Sequence, residues 1–194
     1  MSKTIALQYI EMDTNHDGML GPSELALHNS GSLTPTFVKR LFQEKFTYSG
    51  EMDFKAYLDF VIAMENKRSI ASMRYLFDVL DQPKKGYLSR DDIAILFQDI
   101  QRRQQELGQE MVTFSDLMTE ILDLVQPSRP DRISFQDLIR CRMGHFVIHM
   151  LIDIQGFWMY ENRDKLEMIE ETDEALVREG PAAAITFGEE QSIG

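Results

Sequence analysis

Asp13-Thr14-Asn15-His16-Asp17-Gly18-Met19-Leu20-Gly21-Pro22-Ser23-Glu24 is the stretch on which the reading of this chain turns. Asp13, Asn15 and Asp17 set side-chain oxygens at positions 1, 3 and 5 of a twelve-residue loop, and Met19 offers its carbonyl oxygen at position 7. Gly21 at position 9 has no side chain, which leaves that vertex to a water, and Glu24 at position 12 has the reach for a bidentate clamp. Gly18 at position 6 permits a sharp turn with positive φ. All the donors are hard oxygens, so the ion this pattern selects is calcium. The competing reading, an acidic turn, leaves the spacing unexplained. Ile5, Tyr9 and Met12 precede the loop at helical spacing and give the entering helix an apolar face.

A calcium loop between two helices is an EF-hand. EF-hands come in pairs joined through a short strand contact at position 8, here Leu20, so a second unit is expected about 30 to 40 residues further on. Thr34-Pro35 starts an apolar helical stripe of Phe37, Val38, Leu41 and Phe42, with Thr34 as N-cap and Pro35 at the first helical position. With Gly50 at position 6, the second loop runs over residues 45–56 and puts Met52 at position 8. Lys45 and Ala56 then stand at positions 1 and 12, where neither can ligate calcium, and Asp53 reads as the N-cap of a helix over residues 54–64.

The unit recurs twice. Ser69 can cap a helix carrying Met73, Phe77 and Leu80. The loop over residues 81–92 follows, with Asp81 at position 1, Gly86 at 6 and Leu88 at 8, but Pro83 and Lys85 at positions 3 and 5. Two ligands are lost, a cation enters the site, and Asp92 is a methylene shorter than the usual Glu. Ser89 is the expected cap of a helix over residues 90–105. In the fourth unit Phe114, Leu117, Met118, Ile121, Leu122 and Val125 form the entering helix. Its loop, residues 126–137, has Ile133 at position 8 and Asp131 where glycine belongs, and Ser134 caps a helix over residues 135–143. Two prolines and two arginines in that loop argue against a metal.

The expected fold is therefore all-α: four helix-loop-helix units in two EF-hand pairs, three of the loops degenerate, with a C-terminal helix over residues 145–160 packing back on the second pair. Residues 1–66 hold the first pair and its single calcium loop. Residues 67–163 hold the second pair and the last helix. Residues 164–194 are an acidic tail with a Gly, Pro and Ala-rich end, a composition that predicts disorder. The first apolar helical face starts within a few residues of Met1, which suggests a piece of a longer protein.

Charge sorts the function classes. The chain carries a net charge of −12, and nine acids against two bases lie in residues 164–194. Phosphate backbones and anionic membranes repel such a chain, so neither nucleic acid nor a membrane is an expected partner. One cysteine, Cys141, allows no intramolecular disulfide and suits a reducing compartment. No charged leader with an apolar run and no stretch of about 20 apolar residues is present, which predicts a soluble, cytoplasmic protein.

Enzyme signals are weak. His145 and His149 lie i, i+4 and could share a metal, but no third ligand is in register, and two partly buried or surface histidines is the plainer reading. Cys141 between Arg140 and Arg142 reads as a structural thiol rather than a nucleophile. No glycine-rich phosphate loop or nucleophile motif occurs, so no catalytic residue and no cofactor other than one calcium ion is expected. Phe157, Trp158, Met159 and Tyr160 are adjacent and cannot all face one way, which leaves partner contact and internal burial both open.

Three segments carry a resemblance. They are the run from Phe46-Thr47-Tyr48-Ser49-Gly50 through Glu51-Met52-Asp53-Phe54 to Val61, then Asp123-Leu124-Val125-Gln126-Pro127 with Ile133-Ser134-Phe135-Gln136-Asp137-Leu138, and Leu151-Ile152-Asp153-Ile154-Gln155-Gly156-Phe157-Trp158-Met159-Tyr160-Glu161-Asn162-Arg163. The chain resembles the B'' regulatory subunits of protein phosphatase 2A, the gamma branch in particular, in their C-terminal EF-hand region. The resemblance implies a calcium-responsive, non-catalytic targeting subunit that binds the phosphatase scaffold and catalytic subunits. It also implies a place at centrosomes, the cytoskeleton or the nucleus. On it, Asp13, Asn15, Asp17, Met19 and Glu24 fall on the family's first calcium loop, whereas Pro83 and Lys85 depart from the second working loop of other branches. The alternative is a stand-alone EF-hand calcium sensor that opens a groove for target helices. A sensor exposes that groove only with calcium, and a subunit that sits on a scaffold presents its surface constantly.

Overall fold

The computed structural model describes residues 2–45 and 47–162. Phe46, Arg163 and the expected acidic tail lie outside the described residues. The residues up to Tyr160 form one compact unit.

Helix α1 (Ser2–Met12) buries Ile5, Tyr9 and Met12, the face read from their spacing. The loop after it leads into a short turn of helix, α2 (Pro22–Leu25), and a second turn, α3 (His28–Gly31), where Asn29 and Ser30 take left-handed backbone. Helix α4 (Pro35–Glu44) starts as expected: Thr34 Oγ1 accepts from the Phe37 N–H at 3.4 Å, and Phe37, Val38 and Leu41 are buried. Helix α5 (Phe54–Glu65) is capped by Asp53, which accepts from the Ala56 N–H at 2.8 Å. Between these helices Leu20 and Met52 exchange both backbone hydrogen bonds, N···O 2.9 Å each way, and both side chains are fully buried. They are the two residues the spacing assigned to position 8.

The second half repeats this plan. Helix α6 (Ile70–Leu80) leads to strand β1 (Tyr87–Ser89) and helix α7 (Arg90–Glu106); helix α8 (Phe114–Val125) leads to strand β2 (Arg132–Ser134) and helix α9 (Phe135–Arg140). The strands pair antiparallel with Leu88 opposite Ile133. The chain is thus mostly helical with a small two-stranded sheet, because in this half the position-8 contact extends to three residues on each side. Ser89 and Ser134 cap α7 and α9 and form capping boxes with Asp92 and Asp137. Ser69 stands at the N-cap of α6, but its hydroxyl caps nothing.

The two halves share a single hydrophobic core. Helix α6 packs on both α4 and α5. Arg40 of α4 donates to the Leu80 carbonyl at 2.7 Å, and Thr36 N–H donates to Asp99 of α7 at 2.7 Å.

The expected single helix over residues 145–160 is two helices, α10 (Gly144–Ile152) and α11 (Ile154–Glu161). The break is at Asp153, which is extended and bridges to Leu33: Thr34 N–H donates to the Ile152 carbonyl and Ile154 N–H to the Ser32 carbonyl, both at 2.9 Å. Asp153 then caps α11 with its own carboxylate, accepting from Gln155 N–H at 2.7 Å and Gly156 N–H at 3.2 Å. A capping residue inside an otherwise unbroken apolar run is what divides the helix. Of the aromatic run, Phe157 and Tyr160 are fully buried, Trp158 is half-buried and Met159 is 53% exposed, so most of it faces inward. No helix among the described residues is long and apolar enough to cross a membrane.

Candidate metal centre

Helix α1 delivers Asp13, and the turn after it wraps around that carboxylate. Asp13 accepts from Asp17 N–H at 3.2 Å and from Gly18 N–H at 2.9 Å. Asn15 Oδ1 accepts from Asp17 N–H at 3.0 Å, Asp17 Oδ1 accepts from Met19 N–H at 2.8 Å, and the Asn15 amide donates to Asp17 Oδ2 at 2.8 Å. Gly18 has φ +81°, so the turn needs the glycine that the sequence supplies. Glu24, on α2, is 8% exposed. Its Oε1 accepts from the Thr14 N–H and hydroxyl, both at 2.9 Å, and its Oε2 from Gly21 N–H at 2.8 Å. The Gly21 N–H is the main reason its carboxyl lies below the usual range; Thr14 adds to it.

The loop's donors, Asp13, Asn15, Asp17, the Met19 carbonyl and Glu24, are oxygens only, and this set fits a hard divalent cation of calcium type. Among the described residues no three His, Cys, Asp or Glu side chains converge into a cage by themselves. Here the carboxylates are satisfied by loop N–H groups, and Glu24 is held by Thr14 and Gly21. Bound at this site, a calcium ion would supply the positive charge on which all four side chains could converge.

Tyr9 was legible only as an apolar position, yet its hydroxyl ties the loop to its neighbour. It donates to the Gly18 carbonyl at 2.8 Å, and the Met52 carbonyl lies 3.2 Å away. Burial first, then the negative charge of Asp13, Asp53, Asp17 and Glu24, pushes the phenol up to about 12. The ring meets Phe54 edge-on with centroids 5.2 Å apart.

The third and fourth loops keep a capped carboxylate at position 12 and set a side-chain cation on it, and the second does not. In the second, Lys45 at position 1 sits 4.0 Å over the Tyr75 ring, and Tyr48 and Glu51 close a tight turn by exchanging backbone bonds of 2.8 and 2.9 Å. In the third, Asp81 does what Asp13 does, accepting from Lys85 N–H at 2.9 Å and Gly86 N–H at 2.6 Å. At position 12 Asp92 accepts from Ser89 N–H at 2.7 Å, as Glu24 does from Gly21, and the Lys85 ammonium donates to the same carboxylate. Burial pushes the Asp92 carboxyl up, but the bonds from Lys85 and Ser89 outweigh it and hold it below the usual range.

The fourth loop has its own cation, and it comes from outside the twelve residues. Arg140, one helical turn past Asp137, donates to Asp137 at 2.9 Å, to Ser128 Oγ at 3.0 Å and to the Gln126 carbonyl at 3.0 Å. Asp137 also accepts from the N–H and hydroxyl of Ser134, at 3.0 and 2.6 Å, and of Ser128, at 3.0 and 2.9 Å. Burial opposes ionisation here too, and these donors override it, leaving the carboxyl far below its ordinary value. The i, i+3 spacing of Asp137 and Arg140 was the available signal.

Elsewhere, Cys141 is half-buried and its thiol lies 3.3 Å from the Leu138 carbonyl, a structural setting. His145 and His149 share a face of α10 and are both buried, deeper than a surface pair.

No family model matches the chain. Among curated proteins it is 46% identical over 159 residues to the gamma-type B'' regulatory subunit of protein phosphatase 2A from Xenopus tropicalis, covering 82% of this chain and 36% of that protein. To the human gamma-type protein it is 45% identical, over 82% of this chain and 35% of the relative. To a probable B'' regulatory subunit of Arabidopsis thaliana, TON2, it is 37% identical, over 85% of this chain and 36% of the relative. The chain thus spans about a third of the length of these relatives. Among solved structures it is similar to a chain described as a PP2A PR70 holoenzyme in a form labelled diCa, with TM-score 0.75 and 28% identity, covering 80% of this chain and 59% of that one. With identity of this order sustained over 159 residues, and with a fold shared with the PR70 chain, this chain belongs to the B'' family of protein phosphatase 2A regulatory subunits.

Proposed function

We propose that this chain is the calcium-binding, non-catalytic platform of a B'' regulatory subunit, held against the scaffold and catalytic subunits of phosphatase 2A, where it directs the enzyme to substrates. The relatives are named regulatory subunits, which supports a role without chemistry of its own. The observation that carries the reading is the pairing of all four units at position 8, Leu20 with Met52 and Leu88 with Ile133, while only the first loop keeps a full set of oxygen donors. That is the pattern of two EF-hand pairs retained as a rigid surface. One calcium ion is bound, by Asp13, Asn15, Asp17, the Met19 carbonyl and Glu24, because Lys85 and Arg140 supply the positive charge in the third and fourth loops. The same feature counts against a stand-alone sensor, whose paired loops load together. The location that goes with this role is cytoplasmic, with centrosomal, cytoskeletal or nuclear association.

The test is association of the purified chain with the scaffold–catalytic pair, with calcium and with a chelator. Retention on the pair at micromolar concentration is the expected result. Failure to bind, persisting when the natural upstream segment is added, would overturn the reading.

A further inference from the structure

Where α5 turns into α6, a cavity of about 480 Å³ opens between residues 65–69, the His145–His149 face of α10, and Gly156 and Met159 of α11. Its size is that of a small-molecule site. His149 forms part of its lining and is 4% exposed, yet neither ring nitrogen has a hydrogen-bond partner. A buried imidazole with both nitrogens unsatisfied is costly, and such groups in native structures are normally paired. Burial, reinforced by the nearby positive charge of Lys67 and by His145, pushes its pKa down to about 3, so at neutral pH it offers one N–H donor and one acceptor.

The rim is positive. Lys67 and Arg68 have no ion pair among the described residues, and they lie close enough to lower His149 and His145 electrostatically. The first turn of α6, an eleven-residue helix, begins at the same rim, and the Ser69 hydroxyl caps none of its N–H groups. Against these stands one carboxylate, Glu65. The walls are apolar: Phe146 lies inside, and Met159 is more than half exposed at the opening. Gly156 keeps the floor in place, because a Cβ there would lie 2.8 Å from the His149 carbonyl oxygen and force α11 away from α10.

We propose that this cavity binds a small organic carboxylate, an apolar body bearing one anionic group. The anion meets Lys67, Arg68 and the first turn of α6, which no side chain caps, and the body lies against Phe146 and Met159, with His149 in the wall behind. No element of this set overlaps the calcium loop, so the inference stands independently of the calcium reading.

The test titrates the 194-residue chain with phenylacetate, following the His145 and His149 ring resonances by NMR. Acetate and benzyl alcohol serve as probes lacking the apolar body and the charge respectively. Saturable shifts of both histidines by phenylacetate are expected, with acetate and benzyl alcohol each weaker by about tenfold or more. Arg68→Glu, at an exposed position, should weaken phenylacetate by a similar factor while the circular dichroism spectrum is unchanged. Absence of a saturable shift would overturn the proposal. So would equal binding of benzyl alcohol, which would mark a merely apolar cavity, or indifference to Arg68→Glu.

Discussion

Lys85 donates to the carboxylate of Asp92 across a loop whose first residue, Asp81, still gathers the N–H groups of Lys85 and Gly86. The ammonium is bound to the carboxylate at position 12 that would clamp a metal ion in a working loop. An attached cation therefore does electrostatically what a bound calcium ion would do in the loop at residues 13–24.

Calcium should titrate to one ion per chain in calorimetry, with affinity within about 10⁻⁷ to 10⁻⁵ M, the range of sensor loops. Glu24→Gln should remove tight binding and leave the helical content intact, since the burial of Ile5, Tyr9 and Leu20 does not involve the carboxylate. Two ions of comparable affinity would contradict the role assigned to Lys85 and Arg140.

Converting the third loop by Pro83→Asp with Lys85→Asp should create a second, weaker site, because Asp81, Gly86 and Asp92 are already in place. Lys85→Met alone should instead destabilise the chain without adding a site, as it leaves Asp92 buried and short of a partner. Calorimetry and thermal melting separate the two outcomes.

Tyr9→Phe should cost about 1 kcal/mol of stability, the net worth of a hydrogen bond of this kind, and weaken calcium several-fold. The lost hydroxyl joins the Gly18 carbonyl to that of Met52, so the loop and its partner loosen together. Unchanged affinity would show that the tie is not part of the site.

Acid should weaken the second half. Asp92 and Asp137 titrate below their ordinary 3.8, so near and below that pH the unfolded chain takes up protons that the folded one does not. Their contribution is complete above the unfolded value and is lost as pH falls toward the folded values. Asp137→Asn should lower stability at pH 7 by about 2–3 kcal/mol, since the carboxylate holds charged and neutral donors alike. It should also flatten the acid limb of the stability–pH curve measured by chemical denaturation.

Gly156→Ala should destabilise by about 1–3 kcal/mol, because the added methyl meets the His149 backbone in a packed helix contact. Gly144→Ala should cost more, as its Cβ would overlap the Leu138 carbonyl. Equilibrium unfolding of both variants ranks them.

Much of this was readable from spacing. Gly18, Gly50 and Gly86 fix three loop registers, and counting two residues on from each puts Leu20, Met52 and Leu88 at position 8; with Ile133 of the fourth loop, whose position 6 is Asp131, they pair in the structure. Thr34, Asp53, Ser89 and Ser134 stand where caps were expected because a side-chain oxygen three residues before an N–H is a local arrangement. Contacts between distant segments were not readable. The bridge from Asp153 to Leu33 spans most of the chain, and its hydrophobic surroundings hid the break between α10 and α11. Arg140 was missed because it lies beyond the loop it closes, and the close approach at Gly156 depends on a helix crossing that no local pattern encodes.

A charge that belongs to the chain has no dissociation constant. Lys85 and Arg140 cannot be washed out by a chelator or outcompeted by magnesium, so the carboxylates of Asp92 and Asp137 keep a counter-charge at any concentration of free ion. On the proposed one-ion reading, a rise in calcium acts at one corner, through residues 13–24 and the Leu20–Met52 bridge, against a remainder whose position-12 carboxylates already carry their cation. Such an asymmetry turns the fixed half into a fulcrum, against which one corner can tighten or relax.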